Sequence, residues 1–417
     1  MIKQETGYSY NDVTIIPKPI SNIKSRSDVN PFDSNGNLPI FTAPMSTVVN
    51  CENFHLWEEN KITPILPRNI EWHKRIEFIK NNKWVAISLS ELDEVINMID
   101  QDAIVLDYKN PIKLCVDVAN GHMKHLIEKC KMIKTECGDS VQLMTGNIAH
   151  PSTVLHYEEA GIDYVRVGIG GGHGCTTTSN VAIHYPQASL LNEINEFKRE
   201  SVHEFKIKII ADGGIRNFSD VNKALALGAD YVMIGGLFAS FLESAGDTSS
   251  LHFNLTRPNN TDFVFNYNGG FFDDEEVKDH LKQTWGNYYS EIKKFITIKP
   301  PVEISLYAYS INIPLWSNKV PEHLKRQFIT NHPIYKEFYG MSTKRAQELI
   351  KAGSVKRTAE GIEKTFEVKY TIKQWVDNME AYLRSCMSYC DSRNLKEFIG
   401  KQFLKINSLS EINAVNK

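Results

Sequence analysis

The residues with the clearest chemical potential form a glycine-dense loop that carries a cysteine. Residues 168–178 read Gly-Ile-Gly-Gly-Gly-His-Gly-Cys-Thr-Thr-Thr and follow the apolar run Asp163-Tyr-Val-Arg-Val. Glycines allow a backbone to turn tightly and to approach a ligand closely. Backbone dipoles in such a loop favour a thiolate, so Cys175 is a candidate nucleophile, with an inert loop cysteine as the other interpretation.

Eight apolar runs alternate with helical patterns and would position this chemistry. The runs lie near 40–44, 62–66, 84–88, 113–117, 141–145, 163–167, 207–211 and 230–234. Continuous apolar strands that alternate with helices indicate a parallel sheet buried on both faces. Eight such units predict an α/β fold of the closed (β/α)8 TIM barrel type rather than an open doubly wound sheet.

Polar and glycine-rich clusters follow directly after most of these strands. They are Pro44-Met45-Ser46, Asp117 to Gly121, Gly146-Asn147, Asp212-Gly213-Gly214 and Gly235-Gly236. Each cluster alone could be a plain turn, but barrel enzymes build their sites at the rim where the strands end. The clusters after the seventh and eighth strands also predict a phosphate site, because barrels often hold phosphates there with backbone N–H groups.

The chain continues well beyond the eighth strand, and we divide it into three parts. Residues 1–246 form the barrel body with the cysteine loop. Residues 247–333 are rich in aromatic residues and form an insertion, which is either an oligomer contact or a lid that excludes water. Residues 334–417 complete the barrel with helical patterns over 342–352 and 372–390, separated by a polar flap.

Composition argues against two classes of partner and favours a reducing compartment. The chain has 417 residues and a formal net charge of -3, which gives no electrostatic basis for binding nucleic acid or a membrane surface. No apolar run approaches the length of a membrane span, and the polar start does not resemble a signal peptide. Seven cysteines without a tight framework indicate a reducing environment, so we expect a cytoplasmic location.

An ordered series of motifs resembles the IMP dehydrogenase and GMP reductase family. The series begins with Tyr10-Asn-Asp-Val-Thr-Ile-Ile-Pro-Lys-Pro and Ile23-Lys-Ser-Arg-Ser-Asp-Val. It continues through the barrel clusters and the cysteine loop to Tyr339-Gly-Met-Ser and Ala359-Glu-Gly. Because the motifs occur in the family's order, the resemblance is far more specific than any single glycine motif.

Within that family, the chain is most similar to the reductase branch. Dehydrogenases usually carry a nucleotide-sensing domain pair after the second strand, and strands two and three are too close here to hold one. The dehydrogenase flap also uses an Arg-Tyr pair to activate water, and residues 342–371 contain no such dipeptide. The chain instead has Arg357-Thr-Ala-Glu-Gly and Asp117-Val-Ala-Asn-Gly, which are similar to the reductase patterns.

The resemblance implies an NADPH-dependent reductive deamination of GMP to IMP and ammonia. The thiolate of Cys175 would attack carbon 2 of the purine and displace ammonia, which leaves a covalent thioimidate. NADPH would then deliver hydride to carbon 2. Thr177 and Glu360 would handle the proton that the departing ammonia needs, and Asp117 would orient Thr177. Relatives form homotetramers, so the resemblance also implies that assembly.

The resemblance further implies which residues bind each ligand. Those on the side of the purine mononucleotide are His173, Asp212, Gly213, Gly214, Gly235, Gly236, Gly340, Met341 and Ser342. Those on the side of NADPH are Ser25, Arg26, Arg68, Asp117, Val118, Ala119, Ile169, Gly170, Arg357, Ser385 and Ser388. Backbone carbonyls of Gly170, Gly172 and Cys175 would hold a monovalent cation such as K+.

Several residues near the site depart from the family pattern and leave alternatives open. His173 stands where most relatives have a serine that touches phosphate, Ser46 replaces an aspartate, and Thr178 replaces an arginine. The same chemistry on a modified or deoxy guanine nucleotide is therefore one alternative. A dehydrogenase without the regulatory domains, which would take IMP to XMP with NAD, is a second. A catalytically poor nucleotide-binding protein is a third.

Overall fold

The computed structural model of the chain is built around a (β/α)8 barrel. The structure describes residues 6–172, 177–250, 254–256, 263–267, 274–294, 297–299, 309–313, 320–331, 333–341, 343–350 and 361–406. The barrel strands and the helices between them fall within the first two of these ranges. The described parts of the insertion and of the carboxyl-terminal region add further helices and the strands of three small sheets, one of which pairs β16 (Phe403–Lys405) with β1 (Val13–Ile15) near the start of the chain.

The elements of the described residues are as follows. The strands are β1 (Val13–Ile15), β2 (Ile40–Thr42), β3 (Trp84–Ile87), β4 (Ile112–Asp117), β5 (Val141–Ile148), β6 (Tyr164–Val167), β7 (Lys208–Asp212), β8 (Tyr231–Ile234), β9 (Thr248–Ser250), β10 (Asn254–Thr256), β11 (Phe263–Tyr267), β12 (Thr297–Lys299), β13 (Tyr309–Ile313), β14 (Ile334–Tyr339), β15 (Glu363–Glu367) and β16 (Phe403–Lys405). The α-helices are α1 (Phe54–Glu59), α2 (Trp72–Lys80), α3 (Leu89–Asp100), α4 (Lys124–Cys137), α5 (Thr153–Glu159), α6 (Thr177–Val181), α7 (Gln187–Glu200), α8 (Phe218–Leu227), α9 (Gly236–Ala239), α10 (Asp274–Trp285), α11 (Tyr289–Ile292), α12 (Glu322–Asn331), α13 (Lys344–Leu349), α14 (Ile372–Tyr389) and α15 (Leu395–Phe398). A search of these described helices finds none long and apolar enough to cross a membrane.

Seven parallel strands form the barrel sheet in the order β2-β8-β7-β6-β5-β4-β3. The predicted second strand, 62–66, joins the two ends of this sheet through single bridges. Thr63 pairs with Phe41 of β2, and Leu66 pairs with Val85 of β3. All eight strand positions predicted from the apolar runs are confirmed, because strands that are covered on both faces must be apolar along most of their length.

An aromatic cluster fills the amino-terminal end of the barrel. The rings of Phe41, Trp84, Tyr164 and Tyr231 lie with their centroids 5.2 to 6.0 Å apart, mostly edge to face. Trp84, Tyr164 and Tyr231 are the first residues of their strands. Such rings bury large apolar areas and pack tightly in this geometry. The barrel is therefore closed at this end, and its carboxyl-terminal rim remains available for a site.

The described part of the carboxyl-terminal region contains three strands that the sequence pattern did not indicate, β14, β15 and β16. β14 pairs with β9 at the start of the insertion and with β15 in the flap. The insertion itself contains a separate antiparallel sheet with the strand order β10-β11-β13-β12. The two predicted helices of the region are confirmed as α13 and α14. β14 matters for the site because it leads directly to Gly340 and Met341.

A buried glutamate anchors the end of the barrel body to the added elements. Glu243 is 5% exposed, and its carboxylate accepts a hydrogen bond of 2.9 Å from the Ile372 N–H at the start of α14. Lys325 of α12, itself buried, lies nearby and donates to Glu322 at 2.8 Å. Burial raises the pKa of Glu243 to about 7, although Lys325 and the Ile372 N–H act in the opposite direction.

We expect Glu243→Gln to flatten the pH dependence of stability between pH 5 and 7. A carboxyl whose pKa is higher in the folded chain than in the unfolded chain stabilises the fold at low pH, and that stability is lost as pH rises toward 7. The loss is about 3 kcal/mol at most, at about 1.4 kcal/mol for each pH unit. Urea unfolding across this range measures it. Glu94→Gln, at an exposed position of α3, should keep the wild-type slope.

Candidate active site

A pocket of about 190 Å3 lies at the carboxyl-terminal rim of the barrel. We call it the rim pocket. It is lined by residues in or just after the carboxyl-terminal halves of β2, β4, β6, β7, β8 and β14: Ala43, Pro44, Met45, Asp117, Arg166, Gly172, Asp212, Gly213, Gly214, Ile215, Met233, Ile234, Gly235, Gly236, Phe338, Gly340 and Met341. Parallel strands end on the same side of a barrel, so clusters far apart in the chain meet here.

The rim pocket collects most of the described residues predicted to bind the nucleotide. Asp212, Gly213, Gly214, Gly235, Gly236, Gly340 and Met341 all line it, as do Asp117 and Gly172. Ser46 lies beside it, with its hydroxyl 3.9 Å from the Met341 sulfur. His173, Cys175, Ser342, Arg357 and Glu360 lie outside the described residues. Gly172, the last described residue before Cys175, lines the pocket. The next described residue after Cys175 is Thr177, the first residue of α6.

Two carboxylates face the rim pocket from β4 and β7. The Asp117 carboxylate accepts from the Arg166 guanidinium at 2.9 Å, and Arg68 donates to the Asp117 backbone carbonyl at 3.2 Å. The Asp212 carboxylate accepts from the Asn147 amide at 2.8 Å. Burial raises the pKa of Asp212, while Arg166 and Asn147 act against that rise. The pocket therefore holds two negative groups beside one buried positive charge.

The wall beside Asp117 has unused hydrogen-bond donors. Within the described part of the chain, the Nε atoms of Arg68 and Arg166 are buried and have no hydrogen-bond partner. A buried donor without a partner is costly, so a ligand that supplies an acceptor is favoured at this wall. A nicotinamide carboxamide has such an acceptor oxygen. The residues present thus fit the predicted binding of NADPH beside Asp117.

The remaining residues predicted on the cofactor side lie elsewhere or border the cysteine loop. Ser25 and Arg26 belong to a short turn that packs on α14. Just before this turn, the Ser21 hydroxyl donates to the Ser388 carbonyl of α14 at 2.8 Å. The Ser388 hydroxyl in turn donates to the Ser385 carbonyl at 2.7 Å. These four predicted residues (Ser25, Arg26, Ser385 and Ser388) are not among those that line the rim pocket, and neither are Arg68, Val118, Ala119, Ile169 and Gly170.

The entry to the cysteine loop is held by two hydrogen bonds. His184 donates to the Ile169 carbonyl at 2.9 Å, and the Thr178 hydroxyl donates to the Gly170 carbonyl at 3.2 Å. Gly170 has a φ of +81°, a conformation that favours glycine. The Gly170 carbonyl is thus already an acceptor in this fold, and the K+ site predicted at Gly170, Gly172 and Cys175 stays a prediction.

Gly168 is the point at which the cysteine loop approaches the neighbouring strand most closely. Its φ is +129°, and a Cβ there would overlap the Asp212 backbone carbonyl and lie 2.6 Å from the Gln187 side-chain oxygen. The Gly168 carbonyl also accepts from Asn147 at 2.9 Å, and the same amide holds the Asp212 carboxylate. This glycine therefore fixes both the start of the loop and one pocket carboxylate.

We expect Gly168→Ala to destabilise the chain by about 2–5 kcal/mol, from backbone strain together with overpacking. It should also weaken nucleotide binding, because Asp212 must move. Gly36→Ala is the matched control: Gly36 has a φ of +79° but open space around it. The control should lose only about 1–2 kcal/mol. Urea unfolding and nucleotide titration measure both effects, and equal losses in the two variants would contradict the packing argument.

Sequence reasoning missed several residues that line or support the rim pocket, among them Arg166, Asn147 in its role as a donor, and Phe338. Arg166 had a signal, since it is a charged residue within the otherwise apolar strand Tyr164-Val-Arg-Val. A charge on a strand buried on both faces must have a partner or a function. Phe338 had none, because nothing in the sequence shows that β14 returns to the rim.

Comparisons with known proteins show the family to which the chain belongs. The family model described as "IMP dehydrogenase / GMP reductase domain" matches residues 92–256, which include β4 to β8. GMP reductase of Vibrio parahaemolyticus is 32% identical over 262 residues, covering 59% of this chain and 72% of its own length. The chain belongs to the IMP dehydrogenase and GMP reductase family. The family predicted from the motif series is thereby confirmed.

Further members of the family give the same result. GMP reductase of Staphylococcus epidermidis is 33% identical over 257 residues, covering 58% of this chain and 74% of its own length. GMP reductase 1 of Rattus norvegicus is 29% identical over 260 residues, covering 59% and 73%. The matches cover most of each relative but a smaller share of this chain, so this chain contains a large region that the matches do not include.

Proposed function

We propose that the chain is a GMP reductase-like oxidoreductase that converts GMP to IMP and ammonia with NADPH. The observation that carries the proposal is the convergence in the rim pocket of Asp117, Asp212 and the glycine pairs with the end of the loop that leads to Cys175. The relatives matched over more than two thirds of their length are named GMP reductase. The reaction proceeds in two chemical stages through a covalent bond to Cys175.

In the first stage, Cys175 replaces the amino group on carbon 2 of the purine. The sulfur lone pair forms a bond to carbon 2, and the electrons of the adjacent double bond move to the ring nitrogen. When these electrons return, the bond to the amino group breaks and ammonia leaves. Thr177 and Glu360 deliver the proton that the leaving nitrogen requires. The product of this stage is a thioimidate on Cys175.

In the second stage, carbon 2 is reduced and released from the enzyme. NADPH, when bound, supplies the hydride. Asp117 and Arg166 would hold the nicotinamide against the purine, with the neighbouring Arg68 donating to the Asp117 backbone carbonyl at 3.2 Å. As hydride adds to carbon 2, the carbon–sulfur bond weakens and breaks, and its electron pair returns to Cys175 as the thiolate. IMP then leaves the pocket.

The glycine clusters and Asp212 hold the nucleotide during both stages. The loops at Gly213-Gly214 and Gly235-Gly236 carry no side chains that would block a phosphate, and their backbone N–H groups serve as its donors. The Asp212 carboxylate accepts hydrogen bonds from sugar hydroxyls. Gly340, Met341 and Ser342 clasp the purine from the end of β14. His173 takes the place of a phosphate-binding serine and donates to the phosphate.

Turnover with a set of nucleotides tests the proposal. Oxidation of NADPH is followed by absorbance, and ammonia is measured in the same samples with GMP, dGMP or a modified guanine nucleotide as substrate. We expect equal amounts of NADPH consumed and ammonia released with GMP. Turnover of dGMP or a modified guanine nucleotide alone would reassign the substrate, and turnover of IMP with NAD would instead establish a dehydrogenase. Binding of GMP without turnover under any condition would favour a nucleotide-binding protein.

Three further expectations from the family belong to this proposal. The enzyme assembles as a homotetramer, which light scattering measures. It works in the cytoplasm, which agrees with its cysteine content. The insertion over 247–333 acts either as a lid over the rim or as an oligomer contact. Its first strand, β9, pairs with β14, the strand that carries Gly340 and Met341 to the pocket, so the insertion is connected to the substrate site.

A further inference from the structure

A buried arginine under the rim pocket has no role in the reaction as described so far except in orienting the nicotinamide. Arg166 lies in β6 and is 3% exposed. Burial of a charged side chain is expensive, and a chain keeps such a residue only where the charge is paired and used. The strand otherwise contains Tyr164, Val165 and Val167, so the arginine is not part of its apolar pattern.

Local packing makes space for this side chain. Gly146 of β5 lies directly beside Arg166 in the sheet. A Cβ on Gly146 would lie 2.8 Å from the Arg166 Cβ, too close for any side chain. The next residue, Asn147, holds the Asp212 carboxylate at 2.8 Å. Gly146 therefore leaves room for the Arg166 side chain, and the next residue, Asn147, holds the Asp212 carboxylate at the same pocket.

The titratable groups around Arg166 come from three neighbouring elements. The groups that interact with it electrostatically are Cys115 and Asp117 of β4, Asp212 of β7 and Tyr157 of α5. Arg68 contributes a second positive charge, 3.9 Å from the Asp117 carboxylate. Only Asp117 is within ion-pair distance of Arg166 in the described residues, at 2.9 Å. The Arg166 guanidinium therefore contacts the Asp117 carboxylate directly and acts on the Asp212 carboxylate through its electric field.

We propose that Arg166 is a positioning residue, which holds the Asp117 carboxylate at the nicotinamide wall and supplies the charge that keeps Asp212 an acceptor for the nucleotide. This inference rests on the proposed function for its substrates, but its electrostatic part concerns the chain alone. Besides its proposed place beside the nicotinamide, Arg166 acts through the two carboxylates. The planar guanidinium of Arg166 fixes the direction of its hydrogen bond to Asp117, and the ammonium group of a lysine would not fix that direction.

Three variants separate this role from simple structural support. Arg166→Met removes the charge with similar bulk, Arg166→Lys keeps the charge without the fork, and Arg75→Met is the control. Arg75 is also buried, at 4% exposed, and pairs with Glu91 at 2.6 Å, but it is not among the residues that line the rim pocket. Both methionine variants should lose stability, whereas only Arg166→Met should change the behaviour of the pocket.

The first measurement is the pH profile of kcat/KM for GMP reduction. Loss of the Arg166 charge raises the pKa of Asp212, because the field that opposes its burial is gone. The acid limb of Arg166→Met should therefore move to higher pH by about one unit or more. Its kcat/KM near neutral pH should fall about 100-fold through misplacement of Asp117. Arg166→Lys should keep the wild-type acid limb with a reduced kcat, and Arg75→Met should keep the whole profile.

The second measurement does not require turnover. Carbon-13 NMR of the aspartate carboxyl groups in the ligand-free chain, with Asp212→Asn used for assignment, follows the titration of Asp212 directly. We expect a higher pKa for Asp212 in Arg166→Met and no change in Arg75→Met. An unchanged Asp212 titration in Arg166→Met would overturn the inference. If the wild type fails to reduce GMP, the proposed function fails while this titration still decides the role of Arg166. If Arg166→Met does not fold, Arg166→Gln replaces it.

Discussion

Cys175→Ala is expected to abolish GMP reduction, with kcat lowered on the order of 10⁴-fold or more, as for loss of an enzymic nucleophile. Without the thiolate, carbon 2 of the purine forms no covalent bond to the enzyme, and the amino group has no route of departure. NADPH oxidation and ammonia release should disappear together. The affinity for GMP should remain, because the contacts proposed for the glycine clusters and Asp212 do not involve the sulfur.

Cys137→Ala is the matched control for this change. Cys137 is a partly buried cysteine at the end of α4, and burial raises the pKa of its thiol. It is not among the residues that line the rim pocket. The control should retain full activity. Residual turnover in Cys175→Ala that is comparable to that of Cys137→Ala would remove Cys175 from the mechanism and leave the pocket as a binding site.

The second large effect is expected for Glu360→Gln, which should lower the rate of GMP reduction by about 10²–10⁴-fold. Glutamine cannot deliver the proton that the leaving ammonia requires. The hydride stage does not need this proton. Formation of the thioimidate from IMP and NADP+, which is the reverse of the second stage, should therefore remain close to the wild-type rate. A single-turnover burst of NADPH absorbance measures it.

Glu363→Gln provides the comparison within the same flap. Glu363 is exposed at the start of β15, three residues beyond Glu360, and its removal should leave both stages unchanged. A Glu360→Gln variant that slows both stages equally would show that the flap acts in binding rather than in proton transfer. A variant with normal GMP reduction would assign the proton to another group, for which Thr177 is the remaining candidate.

Much of the fold and part of the site could be predicted from the sequence, for an identifiable physical reason. The barrel strands are buried on both faces, so their sequences are continuous apolar runs that can be counted. Parallel strands end on one side, so clusters such as Asp117, Asp212-Gly213-Gly214 and Gly235-Gly236 had to converge. The pocket lining agrees with this expectation.

The parts that were not predicted depend on contacts between distant segments. Arg166 and Asp117 are separated in the chain by one strand, β5, and the two helices α4 and α5, and only the sheet brings them together. The strand β15 reads Glu-Lys-Thr-Phe-Glu, a largely charged and exposed sequence that becomes a strand because β14 offers it backbone partners. Likewise, in the antiparallel sheet of the insertion β11 pairs with β13, which lies far along the chain.

The most direct test of the account is a search for the covalent bond at Cys175. The wild-type chain is incubated with GMP while released ammonia is removed enzymatically, and in parallel with IMP and NADP+. Both samples are then digested, and the peptides are mapped by mass spectrometry. The account predicts the same nucleotide adduct in both samples, on the peptide that contains Cys175. Turnover of GMP without any adduct, or an adduct on another residue, would contradict it.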